Sequence, residues 1–486
     1  MITKINKLFF NKKNVRGVVL KNFAWLFAGN TGSHLLKAII TIYAARKLGT
    51  EGYGIYSYAL GLAGFFVFIK NIGVDSILTR EVAKYPEKKH HYFFTSFLME
   101  IVLLIITAFL IIFIAPLFSN MANAIILLPF VAFMLIFDDL RGLFAAFFRG
   151  LEKMELEAIV NVITSIAIAI LGFSALYFFH TPKAFIVAYM LASLIGTFAA
   201  IILLRRYTKF SFDNFNRNLI FPILKSAWPF AAGALAGMFL FNIDVIMMGW
   251  WRTTSEIGLY SAAQKLSGIM NVGITLIGIS IFPIFSRFAN KENKEKMKTL
   301  MESVMRLVFF IIVPLIIGGV VLRNPLMIFV FGSQYASAAN AFAILLFSIV
   351  AIYPFTIFNN FVFAYNKHSC MVRYGLASSI CNLALGFLLI PKYGMIGASL
   401  AMVSSNFIYC GLLWRYAKKI NNFNTLSGIL KIIIAALIMG IITFILERTS
   451  FHIIINIAIS GLLYVLFLYL LKEKILGELW SLVKLR

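Results

Sequence analysis

Long apolar runs separated by short polar gaps recur along nearly the whole chain, and no gap exceeds about 15 residues. A helix needs about 20 apolar residues to cross ~30 Å of hydrocarbon, so each long run reads as a membrane-spanning helix. Fourteen spans are predicted: 20–45, 53–77, 93–118, 123–148, 156–179, 184–204, 219–250, 257–286, 300–322, 338–365, 374–390, 394–414, 427–446 and 452–471. The stretch NPLMIFVFGSQYAS, 324–337, is apolar but too short to span, and reads as an interfacial piece. An even count of spans puts both ends of the chain on one side.

Composition agrees with this pattern. The chain is 61% hydrophobic and 13% charged, with a mean hydropathy of +0.91, whereas about a quarter of a soluble domain is charged. A net charge of +25 could suggest nucleic acid, but the positions of the charges exclude that reading. With the N-terminus taken as inside, the inside segments hold 29 of the 44 Lys and Arg residues and the outside loops hold 7. Cytoplasmic loops are enriched in these residues, so the basic excess is topological. The segment MITKINKLFFNKKNVRG reads as a cytoplasmic tail rather than a cleaved leader, because it lacks a short apolar core ending in small residues. Cys370, Cys381 and Cys410 have no metal-type spacing and read as packing residues.

A short phrase is written twice. GTEGYGIYSYA (49–59) returns as TTSEIGLYSAA (253–263), aligning Gly54, Tyr56 and Ser57 with Gly258, Tyr260 and Ser261. Lys21 and Lys225 keep the same spacing, and LLRRY (203–207) is echoed by LLWRY (412–416). The expected fold is therefore an all-α polytopic membrane protein. It has two pseudo-symmetric six-helix lobes, at 20–210 and 211–420, around a central cavity. A C-terminal pair of helices (421–472) follows, and basic cytoplasmic tails (1–19 and 473–486) close the two ends. Six helices per repeat keep both copies in one orientation, so an axis along the membrane normal relates them.

Ionisable residues at membrane depth are costly and mark function or pairing. On span 1, Asn30, His34, Lys37 and Thr41 recur at helical spacing as one polar stripe. Lys70 lies in span 2, Glu100 in span 3, and Asp138, Asp139 and Arg141 in span 4, while Asp244 and Lys265 lie in spans 7 and 8. Depth matching predicts the pairs Asp244–Lys265 and Lys70–Glu100, and the i, i+3 spacing predicts Asp138–Arg141. These pairs are structural, functional or both. Lys37 has no carboxylate at comparable depth on span 2, so a hydrated cavity or an anionic ligand is expected around it. His34 reads either as a neutral, hydrogen-bonded histidine or as a proton-coupling group.

The run AARKLGTEGYGIYSYALG…NIGVDSILTREVAKY (44–85) resembles the opening signature of the polysaccharide-biosynthesis flippases, O-antigen and exopolysaccharide translocases of the multidrug/oligosaccharidyl-lipid/polysaccharide exporter superfamily. Ala45, Arg46, Leu48, Gly49, Gly54, Tyr56, Ser57, Gly73, Arg80 and Glu81 carry the match, and NIDVIMMGWWRTTSEIGLYSAAQKLS (242–267) is similar to the start of the second lobe. The resemblance covers essentially the whole chain. It implies a non-enzymatic flippase in the cell membrane that moves a polyisoprenyl-diphosphate-linked glycan outward by alternating access. The implied partners are the bilayer, the glycan and glycan polymerase or assembly proteins, with no nucleic acid. No cofactor is implied, and coupling to H⁺ or Na⁺ stays open. Lys37, His34, Asn30, Thr41, Arg141, Lys70 and Lys265 are the expected substrate contacts, and Asp244, Asp138, Asp139 and Glu100 the coupling or pairing carboxylates. Lipid II flippases of the superfamily carry an arginine-centred cavity, whereas span 1 here offers lysine and histidine, so lipid II is not assigned. The last two helices are expected to shape a groove for the lipid tail.

Two rival classes are weighed. Drug/cation antiporters of the superfamily carry an acidic site in the first lobe, but span 1 here has no carboxylate. A sugar polymerase or acyltransferase needs a large outer loop or a paired acid/base motif, and every predicted outer loop is short. No Gly-rich Lys-Ser/Thr phosphate loop supports direct ATP drive.

Overall fold

Hydrocarbon offers a spanning backbone no water to bond, so each apolar run closes its own N–H···O=C bonds as a helix. A computed structural model describes residues 15–70, 72–208, 210–227, 243–289, 293–425, 428–449 and 452–473. Expectations for residues 1–14 and 474–486 of the tails and for 228–242 of span 7 lie outside the described residues. Among those described there is no strand, and the chain divides into two compact units, Met1–Met238 and Phe239–Arg486.

In the first unit, α1 (Val15–Phe66) carries the first two expected spans as helical arms joined at Gly49, whose φ of 72° and ψ of 179° suit a residue without a Cβ. Span 2 was expected to run unbroken over 53–77, and the structure divides it. A 3₁₀ turn, Val67–Ile69, follows α1, and Gly73 (φ 91°) starts α2 (Val74–Lys84) afresh. The Ile72 amide bonds Lys70 O at 2.7 Å instead of continuing the helical ladder. Next come α3 (Lys89–Phe109), α4 (Leu128–Gly150), α5 (Met154–Phe178) and α6 (Pro182–Leu204).

Helix α1 packs on α5, α6 packs on both α5 and α4, and α2 packs on α4. Small residues allow these approaches, as is usual between membrane helices. A Cβ on Gly29 would stand 2.8 Å from that of Ala158, and Gly196 lies directly against the Thr164 side chain. Phe93, Phe144, Phe147 and Phe148 form the core where α3 meets α4.

The segment after residue 210 folds back onto α3. There Asn216 N donates to Thr95 Oγ1 at 3.1 Å, and His91 Nδ1 donates to the Asn214 carbonyl at 3.0 Å. Ile223 and Ala227 bury against Ile77 of α2.

The second unit contains α7 (Ile243–Trp251), α8 (Thr254–Met270), α9 (Val272–Phe288), α10 (Lys294–Val321), α11 (Arg323–Phe331), α12 (Ala339–Ala364), α13 (His368–Tyr393), α14 (Met395–Ile420), α15 (Ile429–Arg448) and α16 (Ile453–Leu470). Span 8 is divided at Asn271 into α8 and α9, and the Tyr353 hydroxyl donates to Met270 O at that break (2.6 Å). The interfacial piece is α11 plus a 3₁₀ turn, Ser333–Ala338, and it buries Met327, Phe331 and Tyr335 inside the unit. Eleven helical stretches among the described residues are long and apolar enough to cross a membrane. The first of these, Gly32–Ile69, holds the Gly49 junction between expected spans 1 and 2.

The C-terminal pair is held by polar groups, since lipid gives two apolar helices no hydrophobic reason to associate. Thr443 Oγ1 donates to Ser460 Oγ (2.8 Å), Ser460 Oγ to Asn456 Oδ1 (3.1 Å), and Asn456 Nδ2 to the Thr443 carbonyl (3.2 Å), all buried. Tyr464 ties the pair to α10 through its bond to Phe310 O at 2.9 Å. Replacing Asn456→Leu removes two of these bonds, at about 1 kcal/mol in total. The expected result is a lower thermal midpoint in detergent with helix content unchanged by circular dichroism.

Candidate functional site

A polar cavity of ≈ 160 Å³ lies among α1, α4 and α5. Helix α1 contributes Ser33, His34 and Lys37, which share a face because they span one turn. Helix α4 supplies Arg141, and α5 supplies Asn161, Thr164 and Ser165 at i, i+3 and i+4. The sequence-predicted Lys37, His34 and Arg141 are thus brought together from two helices. Thr41, another member of the span 1 stripe, is not in this lining. Thr41 bonds back to the Lys37 carbonyl at 2.6 Å, and the side chain of Asn30 lies outside the description. Asn161, Thr164 and Ser165 were missed, although the polar stripe NVITS (161–165) within span 5 is the signal that marks them.

Several donors around this cavity have no partner among the described residues. Arg141 Nη1 and the hydroxyls of Ser33 and Ser165 are buried without a hydrogen bond. The other edge of the Arg141 guanidinium is held, with Nη2 2.9 Å from Asp138 Oδ1. Ser193 of α6 donates to the same Asp138 oxygen at 2.7 Å. The expected Asp138–Arg141 pair therefore forms, and it aims a fixed guanidinium with donors to spare. Buried polar groups left unmade are costly, and a planar guanidinium beside an ammonium and hydroxyls matches the needs of phosphate oxygens.

The break in span 2 gathers a second cluster. Lys70 Nζ is 3.0 Å from Asp139 Oδ1, 3.5 Å from Glu100 Oε1 and 3.8 Å from Asp75 Oδ2. The predicted Lys70–Glu100 pair exists, but Asp139 is the nearer partner, and Asp75 was not anticipated as a member. Lys70 therefore belongs to this acidic cluster and not to the cavity lining. Among the described residues no group of His, Cys, Asp or Glu is arranged to hold a metal ion.

In the second unit the predicted Asp244–Lys265 pair does not form. Asp244 is fully buried and accepts from Tyr260 Oη at Oδ2 (3.0 Å) and from Asn382 Nδ2 at Oδ1 (3.0 Å). The reason is azimuthal. Tyr260 faces α7, and Lys265, five residues on, is turned about 140° around α8 from it. Lys265 is half-buried and has no ion-pair partner among the described residues.

The remaining signature residues act in packing and turns. Gly49 makes the α1 junction. Gly54 and Gly258 are buried, Ser57 is half-buried, and Arg46 is exposed. Tyr56 packs on Phe185 at 5.1 Å, and the Ser261 hydroxyl is buried without a partner. Exposed Arg80 pairs with its neighbour Glu81 at 2.7 Å.

A family model described as polysaccharide biosynthesis protein matches residues 19–289, and a MatE model matches 229–388. The chain is 25% identical to a putative O-antigen transporter of Shigella flexneri, over 79% of this chain and 94% of that one. It is 21% identical to an uncharacterized membrane protein of Methanocaldococcus jannaschii, over 94% of each. Its fold is like that of the lipid II flippase MurJ in an inward closed conformation, with a TM-score of 0.76 at 17% identity, covering 93% of this chain and 99% of that one.

The geometry around Asp244 gives a direct test. Lys265→Met is expected to leave the yield of folded protein unchanged, whereas Asn382→Leu lowers it by stranding a buried carboxylate oxygen. Fluorescence-detected size exclusion at matched expression measures both, and equal losses would restore the ion-pair reading.

Proposed function

The chain belongs to the polysaccharide biosynthesis protein family, and from that premise we propose that it carries polyisoprenyl-diphosphate-linked oligosaccharide from the cytoplasmic to the outer leaflet of the cell membrane. Each sugar hydroxyl stripped of water costs a few kcal/mol, so an unaided headgroup meets a prohibitive barrier. The observation that carries the reading is the donor set of the cavity. Lys37 lines it, and Arg141 Nη1 and the Ser33 and Ser165 hydroxyls have no hydrogen-bond partner among the described residues. At ≈ 160 Å³ the cavity is smaller than the roughly 300–1,000 Å³ of drug-sized pockets. That size suits the diphosphate and leaves the glycan to be housed elsewhere.

On this reading the protein is a transporter rather than an enzyme, its termini are cytoplasmic, and the apolar outer faces of α15 and α16 sit against the lipid tail. The MatE match over 229–388 favours a second reading, a cation-coupled antiporter of small molecules. A lining with a cation on each of two helices and no carboxylate favours an anionic substrate instead.

Two outcomes test the proposal. Lys37→Ala removes a charge-assisted contact of about 1.5–3 kcal/mol, so surface-glycan export in a flippase-deficient host falls roughly ten- to hundredfold at equal expression. Lys37→Arg keeps part of the activity, and wild-type export by the Ala variant removes Lys37 from the site. A single cysteine within 287–299 is expected to resist membrane-impermeant labelling in intact cells while one at 448 reacts. Outside labelling of the 287–299 loop contradicts the topology.

A further inference from the structure

The cluster at the break of span 2 holds more negative charge than its one cation can offset. Asp75, Glu100 and Asp139 converge on Lys70 from α2, α3 and α4, at 3.8, 3.5 and 3.0 Å. If all three carboxyls were ionised, the group would be doubly negative at membrane depth. The three are not equally placed. The side chains of Asp75 and Asp139 are 30% and 17% exposed, whereas that of Glu100 is 1% exposed. Neither Glu100 oxygen accepts a hydrogen bond, and Asp75 Oδ1 and Asp139 Oδ2 are also buried and bare. Lys70 Nζ donates a 3.0 Å hydrogen bond to Asp139 Oδ1. Glu100 is therefore a carboxyl aimed at the cluster with an oxygen, Oε2, that no described residue satisfies. Among the described residues the charged groups that act on it are Lys70, Asp75 and Asp139.

An ion left in such a place is expensive, and a buried carboxyl takes up a proton rather than stay charged and unbonded. A proton also supplies the missing donor, since a protonated carboxyl carries an O–H that a neighbouring bare carboxylate oxygen can accept. The donor set does not suit a metal ion, because the described acidic groups form no metal-holding arrangement. We propose that Glu100 is a proton-binding site of the first unit, shared within the Lys70–Asp75–Asp139 cluster.

The cluster adjoins the cavity through α4, on which Asp139 faces Lys70 while Asp138 and Arg141 pair beside the cavity. A consequence follows, resting on the diphosphate reading. A bound polyanion makes the neighbourhood more negative and raises the proton affinity of Glu100. By linkage, a proton on Glu100 tightens anion binding by the same factor. Proton and anion then load together.

The test uses the full chain in lipid nanodiscs. Infrared difference spectra at neutral pH, without substrate, are expected to show a protonated-carboxyl C=O band that shifts in D₂O. Glu100→Gln, nearly isosteric, removes that component, and Glu100→Asp shifts it. A spectrum unchanged in both variants overturns the proposal. So does a wild-type band that saturating Na⁺ displaces, which would make this a metal-cation site. Pyrophosphate titrations in two buffers of different ionisation enthalpy, run at the pH where half of the wild-type carboxyl band is lost, form a separate arm. Wild type is expected to take up a fraction of a proton on binding there, and Glu100→Gln to take up none. A Glu100 band without pyrophosphate binding keeps the proton site and rejects the diphosphate reading.

Discussion

A charge cannot stand bare in hydrocarbon, and each polar feature inside this chain is shaped by that constraint. Hydrocarbon forces the backbone into helices and keeps most lysines and arginines out of the long apolar runs. The ionisable groups that stay inside collect into sets, each compensated differently. Arg141 is half neutralised by Asp138, leaving donors facing the cavity. Lys70 is outnumbered by carboxyls. Asp244 is held by neutral donors alone among the described residues. A positive cavity and an acidic cluster thus share one helix, α4, a few residues apart.

Hydropathy made the spans legible because it reads transfer free energy, which every lipid-facing segment must satisfy. It did not reveal the break at 67–73 or the division at Asn271, because each lies inside a run that still holds enough apolar residues to read as one span. Those breaks depend on tertiary partners, such as the Tyr353 hydroxyl at Met270 O. Helical spacing brought His34 and Lys37 together, and intramembrane charge drew attention to Arg141. Asn161, Thr164 and Ser165 carry no charge and sit in an apolar run, so a search for ionisable groups passed over them. The mistaken Asp244–Lys265 pair came from matching depth without azimuth.

The duplicated phrase shows how a repeat diverges under the same constraint. Tyr56 and Tyr260 occupy equivalent places, each buried near the start of its repeat's second span. In the second unit Tyr260 donates to Asp244. In the first unit the residue equivalent to Asp244 is Ile40, fully buried, and Tyr56 packs on Phe185 instead. The first unit keeps its clustered carboxylates on α2, α3 and α4, and α1 presents Lys37 and Ser33 to the cavity.

The central claim is that these helices carry a diphosphate-linked glycan across the bilayer by way of a cationic pocket. The most direct measurement is transbilayer movement of a fluorescent polyprenyl-diphosphate oligosaccharide in proteoliposomes of the purified chain, read as the fraction open to a membrane-impermeant quencher. The account predicts movement well above that of protein-free vesicles, slowed by inorganic pyrophosphate and not by a lipophilic cation. Movement no faster than in protein-free vesicles, or inhibition by the cation alone, would contradict it.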